Sequence, residues 1–235
     1  MEKRKSEIVI LAAGVFPTHP VPLQALREAD FVVCCDSAYK QFSIFLPGST
    51  GDTACDRSGA NSQFSIPFVV IGDGDSLTEE TKQELGDRWI HVAEQDYNDL
   101  HKAMQWATSQ FSIFNFQFSI LGATGKREDH TLGNISYLLT FADEYPGADI
   151  EMLTDYGRLC TMQGTRLFDS FPRQQVSLFV MDPANAITST GLRWPLEEFH
   201  ARRWWQASLN EVLGTSFTLR SEDWMIVFQT YEAKG

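Results

Sequence analysis

Three unbroken apolar runs constrain this chain most: Ile8–Ala13, Phe31–Cys35 and Phe68–Ile71. A strand with one wet face alternates apolar and polar residues. These do not alternate, so both faces of each strand need cover. A fourth strand-like segment, Phe116–Leu121, and a short one, Trp89–Val92, belong to the same half. Helical patterns lie between them. Pro22–Ala29 and Thr78–Leu85 are short. Asn98–Ala107 places Leu100, Ala103, Met104 and Ala107 at helical spacing. Asp129–Glu144 carries Leu132, Ile135, Leu138, Leu139 and Ala142 on one stripe and stops at Tyr145-Pro146-Gly147. Alternating β and α with apolar strands predicts an α/β fold: a mostly parallel sheet with helices on both faces. In such sheets ligands bind beyond the carboxyl ends of the strands.

The pattern changes after Gly147. Short β-rich segments follow at 150–153, 158–162, 166–168, 175–181, 186–190, 216–219 and 224–230, separated by turn residues. This predicts a small C-terminal antiparallel β-sandwich. The expected domains are 1–146 and 147–235.

The 235 residues suffice for a core without disulfide or metal staples. A net charge of −12 argues against nucleic acid, which requires a basic face. Cys34, Cys35, Cys55 and Cys160 form no C-x-x-C pair and read as free thiols of a reducing, cytoplasmic compartment. Lys3-Arg4-Lys5 before an apolar run resembles a signal peptide, but the run ends early at Gly14 and reads better as a buried first strand. No run reaches the roughly 20 apolar residues of a membrane span. Gln-Phe-Ser-Ile occurs four times, starting at residues 41, 63, 110 and 117, with no solenoid period. The copies read as connections or strand starts.

Acidic turns beside glycines carry the chemistry. They are Ile71-Gly72-Asp73-Gly74-Asp75-Ser76, Asp96-Tyr97-Asn98-Asp99-Leu100-His101-Lys102, and Leu121 to Thr131. Carboxylates at strand ends suit Mg²⁺ on a polyphosphate, because Mg²⁺ takes a few carboxylates plus waters and phosphates. In extended geometry Asp73 and Asp75 share a side and can face one cation; a plain polar turn is the other reading. Asp96 reads as the N-cap of a helix with Asp99 in its first turn. Lys102 follows Asp99 on the same face. Gly122-Ala123-Thr124-Gly125-Lys126 is not a Walker A loop, but a glycine turn feeding a helix offers N–H groups to phosphate. Lys126 and Arg127 add charge there. Asp129 reads equally as a cap or a metal ligand.

In combination and order, these blocks resemble thiamine pyrophosphokinase. The family pattern is an Asp after the second strand, then I-G-D-x-D-S, D-x-T-D-x-x-K-A and L-G-A-x-G-G-R-x-D-H. Here Asp36, Asp73, Asp75, Asp96, Asp99, Lys102, Arg127, Asp129 and His130 stand in those places. Thr190-Gly191-Leu192-Arg193-Trp194-Pro195-Leu196 and Ser208-Leu209-Asn210-Glu211 continue the likeness into the tail. Asn98 stands for the usual Thr, Lys126 for the second Gly, and Leu209-Asn210 for a Ser-Asn pair.

The resemblance implies pyrophosphoryl transfer from ATP to the thiamine hydroxyl, with release of AMP. It implies Mg²⁺ on Asp73, Asp75 and Asp99, with Lys102 and Asp129 also catalytic. Asp36, Gly125, Lys126, Arg127, His130 and Thr131 would bind ATP, and Trp194, Ser208 and Asn210 would bind thiamine. It also implies a homodimer with thiamine held between the α/β domain of one subunit and the β domain of the other. The alternatives are a nucleotide-sugar transferase using the D-x-D, and a non-enzymatic nucleotide- or thiamine-binding protein.

Overall fold

The computed structural model describes residues 5–46 and 66–234. Cys55 and all but Ile66 of the second Gln-Phe-Ser-Ile copy lie outside them. The chain divides into two compact units, Met1–Asn134 and Ile135–Gly235, a cut inside a helix rather than at Pro146.

The first unit contains β1 (Ser6–Leu11), α1 (Pro20–Glu28), β2 (Phe31–Cys35), α2 (Tyr39–Phe45), β3 (Phe68–Gly72), α3 (Glu79–Leu85), β4 (Trp89–His91), α4 (Asp99–Gln110) and β5 (Phe116–Leu121). Helix α5 (Glu128–Glu144) begins here. All five strands are parallel, in the order β5-β1-β2-β3-β4. The order reverses between β1 and β5. Residues 7–11 of β1 and all of β3 are buried, as parallel strands covered on both faces require. Helix α4 packs on β1, β2 and β3, α1 on β1, and α2 on β2. Local chemistry sets the helix starts. His19 Nδ1 accepts the Val21 N–H ahead of Pro20 at the first helical position of α1. Thr78 accepts the Thr81 N–H at the start of α3.

The Gln-Phe-Ser-Ile copies are not all connections. The first lies inside α2, where Phe42 is fully buried and Ile44 is exposed. The fourth lies inside β5, where Phe118 and Ile120 are both fully buried. Residues two apart diverge on a helix and coincide on a strand, so one tetrapeptide serves both settings.

The second unit is antiparallel: β6 (Asp149–Leu153), β7 (Gly157–Asp169), β8 (Gln174–Val180), β9 (Ala186–Thr190), β10 (Phe199–His200), β11 (Asn210–Glu211) and β12 (Ser216–Ala233). Segments 158–162 and 166–168, expected as two strands, form the single β7. Segments 216–219 and 224–230 likewise form β12. The two pair along their length, with a register shift between Ser221 and Met225 opposite Gly164 and Met162. Gly164 (φ 78) therefore marks a bulge, not a turn between strands. On its other edge β12 pairs first with β9 and then with β8. The inward side chains, among them Met162, Phe168, Leu178, Ile187, Leu219 and Val227, form one core.

No helix among the described residues is long and apolar enough to cross a membrane. Cys34, Cys35 and Cys160 are buried free thiols.

Candidate active site

A cavity of about 320 Å³ opens at the carboxyl ends of the parallel strands. Its walls are the loop after β1 (Ala12, Ala13, Gly14), the end of β2 (Cys35, Ser37), the start of α4 (Asn98 to Leu100), the turn after β5 and the first turns of α5. It therefore sits at the reversal of strand order, where such sheets bind ligands.

The loops after β1 and β5 are zipped by backbone hydrogen bonds. Ala12 N donates to Leu121 O (2.8 Å), Gly14 N to Gly122 O (2.6 Å) and Val15 N to Thr124 O (2.9 Å). A Cβ on Gly14 would stand 2.4 Å from both Gly122 O and Thr124 O, so only glycine allows this approach.

The turn after β5 passes through three left-handed residues, Gly122 (φ 63), Gly125 (φ 75) and Lys126 (φ 66). Lys126 keeps a backbone path that glycine adopts more easily. Its ammonium donates to Ala13 O at 2.6 Å and lines the cavity. Arg127 and His130 also line it. Thr131 does not: its hydroxyl is turned back onto Arg127 O at 3.1 Å.

The acidic residues separate into two groups. Asp36 is 2% exposed, at the end of β2. Burial pushes its carboxyl above the ordinary value, and the Asp73 charge adds to this. Burial likewise raises Asp99, followed by the Asp36 charge, with Asp73 contributing less. Asp73 itself is lowered, first by a hydrogen bond from Gln95 Nε2 at 3.0 Å and then by the Asp75 N–H. These three carboxylates thus feel one another. Lys102, 4% exposed, supplies the cation beside them, 3.7 Å from Asp99.

Asp75 is placed differently from expectation. Gly74 (φ 84) breaks the extended path, so Asp73 and Asp75 do not share a side as strand neighbours. The Gly74 N–H instead reaches Asp36 Oδ2 at 3.2 Å, and the Asp75 carboxylate belongs to an exposed residue. Asp129 also stands apart. It forms a two-pronged exposed pair with Arg127, at 3.1 and 2.5 Å, which holds its carboxyl below the ordinary range.

Asp96 is not the cap of α4. The helix begins at Asp99, and Asn98 Oδ1 accepts the His101 N–H at 3.0 Å. The Asp96 N–H is itself engaged by Glu94 Oε1. Two further residues escaped the sequence reading. Gln95 orients Asp73, and Asn134 lines the cavity. A polar pair just before the α4 cap, and a polar residue on the buried side of α5, were the available signals.

Among the described residues, no three His, Cys, Asp or Glu side chains already stand in a metal-ligand arrangement. The donor set nevertheless suits a cation: Asp36, Asp73 and Asp99 outnumber the one buried ammonium, Lys102, which lies 3.7 Å from Asp99.

In the second unit, Trp194 is half exposed. The Arg193 guanidinium covers one ring face at 5.5 Å and is held by Glu211 at 3.1 Å. Asn210 is buried and clamps the Trp194 backbone: its Oδ1 accepts Trp194 N (3.2 Å) and its Nδ2 donates to Trp194 O (2.6 Å). The Ser208 hydroxyl donates to Trp205 O at 2.8 Å.

Comparison with known proteins covers both units. The family model described as thiamin pyrophosphokinase, catalytic domain, matches residues 23–150, and the one described as thiamin pyrophosphokinase, substrate-binding domain, matches residues 157–228. Thiamine pyrophosphokinase 1 of Oryza sativa subsp. japonica is 27% identical over 210 residues, 76% of this chain and 78% of that protein. Thiamin pyrophosphokinase 1 of Caenorhabditis elegans is 32% identical over 80 residues, only 33% of this chain and 32% of that protein. The crystal structure of thiamine pyrophosphokinase from Bacillus subtilis shares the fold, with a TM-score of 0.71 at 20% identity over 96% of this chain and 99% of that one.

Proposed function

The chain belongs to the thiamin pyrophosphokinase family, and from that premise we propose that it transfers the pyrophosphoryl group of ATP to the thiamine hydroxyl, releasing AMP. One observation carries the reading most: Asp99, 3.7 Å from the buried Lys102 ammonium, lines a cavity edged by the Gly125-Lys126 turn.

Asp73 and Asp99 are the proposed Mg²⁺ ligands, with Asp36 behind them and Asp75 on the same turn as Asp73. When bound, the ion would screen the phosphate charge and polarise the transferred group. Lys102, 3.7 Å from Asp99, offsets the acidic cluster and is the proposed cation for the transferred phosphate oxygens. Lys126 and Arg127 face the phosphates from the other wall, Gly125 keeps that turn close, and His130 borders the cavity. Asp129 orients Arg127 by their paired hydrogen bonds, and Thr131 fixes the Arg127 carbonyl. Catalysis then rests on positioning and charge stabilisation. The thiamine oxygen attacks the β-phosphorus, and a carboxylate of the cluster accepts its proton.

Trp194, Ser208 and Asn210 are the proposed acceptor-side residues. They lie in 147–235, the proposed thiamine-binding domain. Exposed Trp204, Trp205, Leu209 and Leu213 on that unit support a homodimer, because apolar surface of this kind gains from burial against a second copy. The buried free thiols support a cytoplasmic setting.

The test is direct. Purified protein with ATP, Mg²⁺ and thiamine should yield AMP and thiamine diphosphate in equal amounts. ATP consumption without thiamine diphosphate would overturn the reading.

A further inference from the structure

Three segments of the cavity wall are joined by two asparagine side chains. Asn98 Oδ1 accepts the His101 N–H at the start of α4, at 3.0 Å. Asn98 Nδ2 donates to Asn134 Oδ1 at 2.9 Å. Asn134, 8% exposed, passes the chain on: its Nδ2 donates to Ala123 O in the glycine turn, at 2.8 Å. Both asparagines line the cavity.

The two ends of this relay fix its polarity. A backbone N–H can only donate, so Asn98 must present its oxygen to His101. Its amide nitrogen then faces Asn134, which must answer with oxygen. The Asn134 nitrogen is left for Ala123 O, which can only accept. Flipping either amide would place donor against donor or acceptor against acceptor.

We propose that Asn98 and Asn134 act as one positioning pair that sets Asp99 and Lys102, on α4, against the Lys126–Arg127 phosphate wall. Asn98 is adjacent to Asp99, and Asn134 is hydrogen-bonded to the turn that carries Lys126. Threonine at position 98 would keep the helix cap through its hydroxyl, but it has no amide to span the distance to Asn134. The pair deepens the functional reading above and rests on it for its kinetic consequence.

A double-mutant cycle of Asn98→Thr, Asn134→Ala and both together tests this. Asn134→Ser replaces Asn134→Ala if the latter does not fold. Each single variant should lower kcat for thiamine diphosphate formation and weaken Mg²⁺–ATP binding in calorimetry. The expected loss is roughly three- to tenfold, the range set by one buried neutral hydrogen bond. ATP affinity in EDTA should stay unchanged, and the double variant should be no worse than the poorer single one. Multiplying losses, or a fall in Tm with kinetics and Mg²⁺–ATP affinity intact, would overturn the pair. A wild type that binds Mg²⁺–ATP but makes no thiamine diphosphate sinks the functional reading alone, because the calorimetric cycle still decides the pair.

Discussion

A Cβ on Gly72 would lie 2.9 Å from Asp36 Cγ, so the Asp36 carboxylate occupies the space that glycine leaves open at the end of β3. This backbone has no need of a left-handed residue there; the requirement is proximity alone. Gly72→Ala should displace Asp36 while leaving the sheet intact. A cost of roughly 1–3 kcal/mol in stability is expected from the overpacking. The Mg²⁺ concentration for half-maximal activity should rise. An unchanged Mg²⁺ requirement would remove Asp36 from the acidic set.

Asp36 also predicts a pH effect. Its folded carboxyl is raised above the ordinary 3.8, first by burial. The neutral form is thus favoured on folding. The stability it contributes is full below the unfolded value and is lost as pH rises through the folded one. Asp36→Asn should therefore unfold at a higher temperature than wild type at neutral pH without metal, with the gap closing as pH falls toward 4. Added Mg²⁺ should raise both, through Asp73 and Asp99, and narrow the gap between them by offsetting the buried Asp36 charge. Equal melting curves across this range would refute the prediction.

Helix α4 should respond to Asn98 and not to Asp96. Asn98→Ala is expected to lose about 1 kcal/mol, the usual worth of an N-cap. Asp96→Ala should stay within about 0.5 kcal/mol, as for a surface change away from such features. Chemical denaturation of both variants decides it.

Lys126 combines strain with function. A non-glycine residue in the left-handed region costs about 1–2 kcal/mol. Lys126→Gly should recover part of that, offset by the lost contact to Ala13 O. It should also weaken ATP binding by removing an ammonium from the cavity wall. A variant that is both less stable and unchanged in ATP affinity would contradict this.

Asn210 holds the backbone of Trp194 from both its N–H and its carbonyl. Asn210→Ala should raise the thiamine KM in the same direction as Trp194→Ala, with little change for ATP. The cation–π component at Trp194 is worth about 0.5–2 kcal/mol, which sets the expected change at a few-fold to roughly thirty-fold. Equal weakening of ATP and thiamine would show that neither residue serves the acceptor.

Much of the first unit was legible because β1, β2, β3 and β5 obey one rule, a buried run along the strand. β2 and β5 match the predicted limits to the residue, and α1, α3 and α4 differ only at their ends. Asp36 and Asp73 lie where expected, directly after β2 and β3, and Asp99 lies in the first turn of α4. Of the two readings of Asp73 and Asp75, the shared side of an extended strand does not form, because Gly74 turns the chain, a dihedral that Gly-Asp-Gly-Asp permits but does not dictate. Leu132, expected in the apolar stripe of α5, is 53% exposed, while polar Asn134 is buried by its two hydrogen bonds. In the second unit Gly164 and Glu222-Asp223 look like turns in the sequence. They are irregularities within long paired strands, and only the partner strand reveals that.

The position of β12 has a consequence for how the protein is made. Residues 216–233 pair with β7, β8 and β9, whose residues lie between 157 and 190. During synthesis those three strands emerge first and wait for a shared partner. Their unpaired edges are then open to other chains. The first unit has no such delay, because all its strands precede residue 122. A ribosome stalled before residue 216 should therefore carry a protease-resistant first unit and a digestible second one.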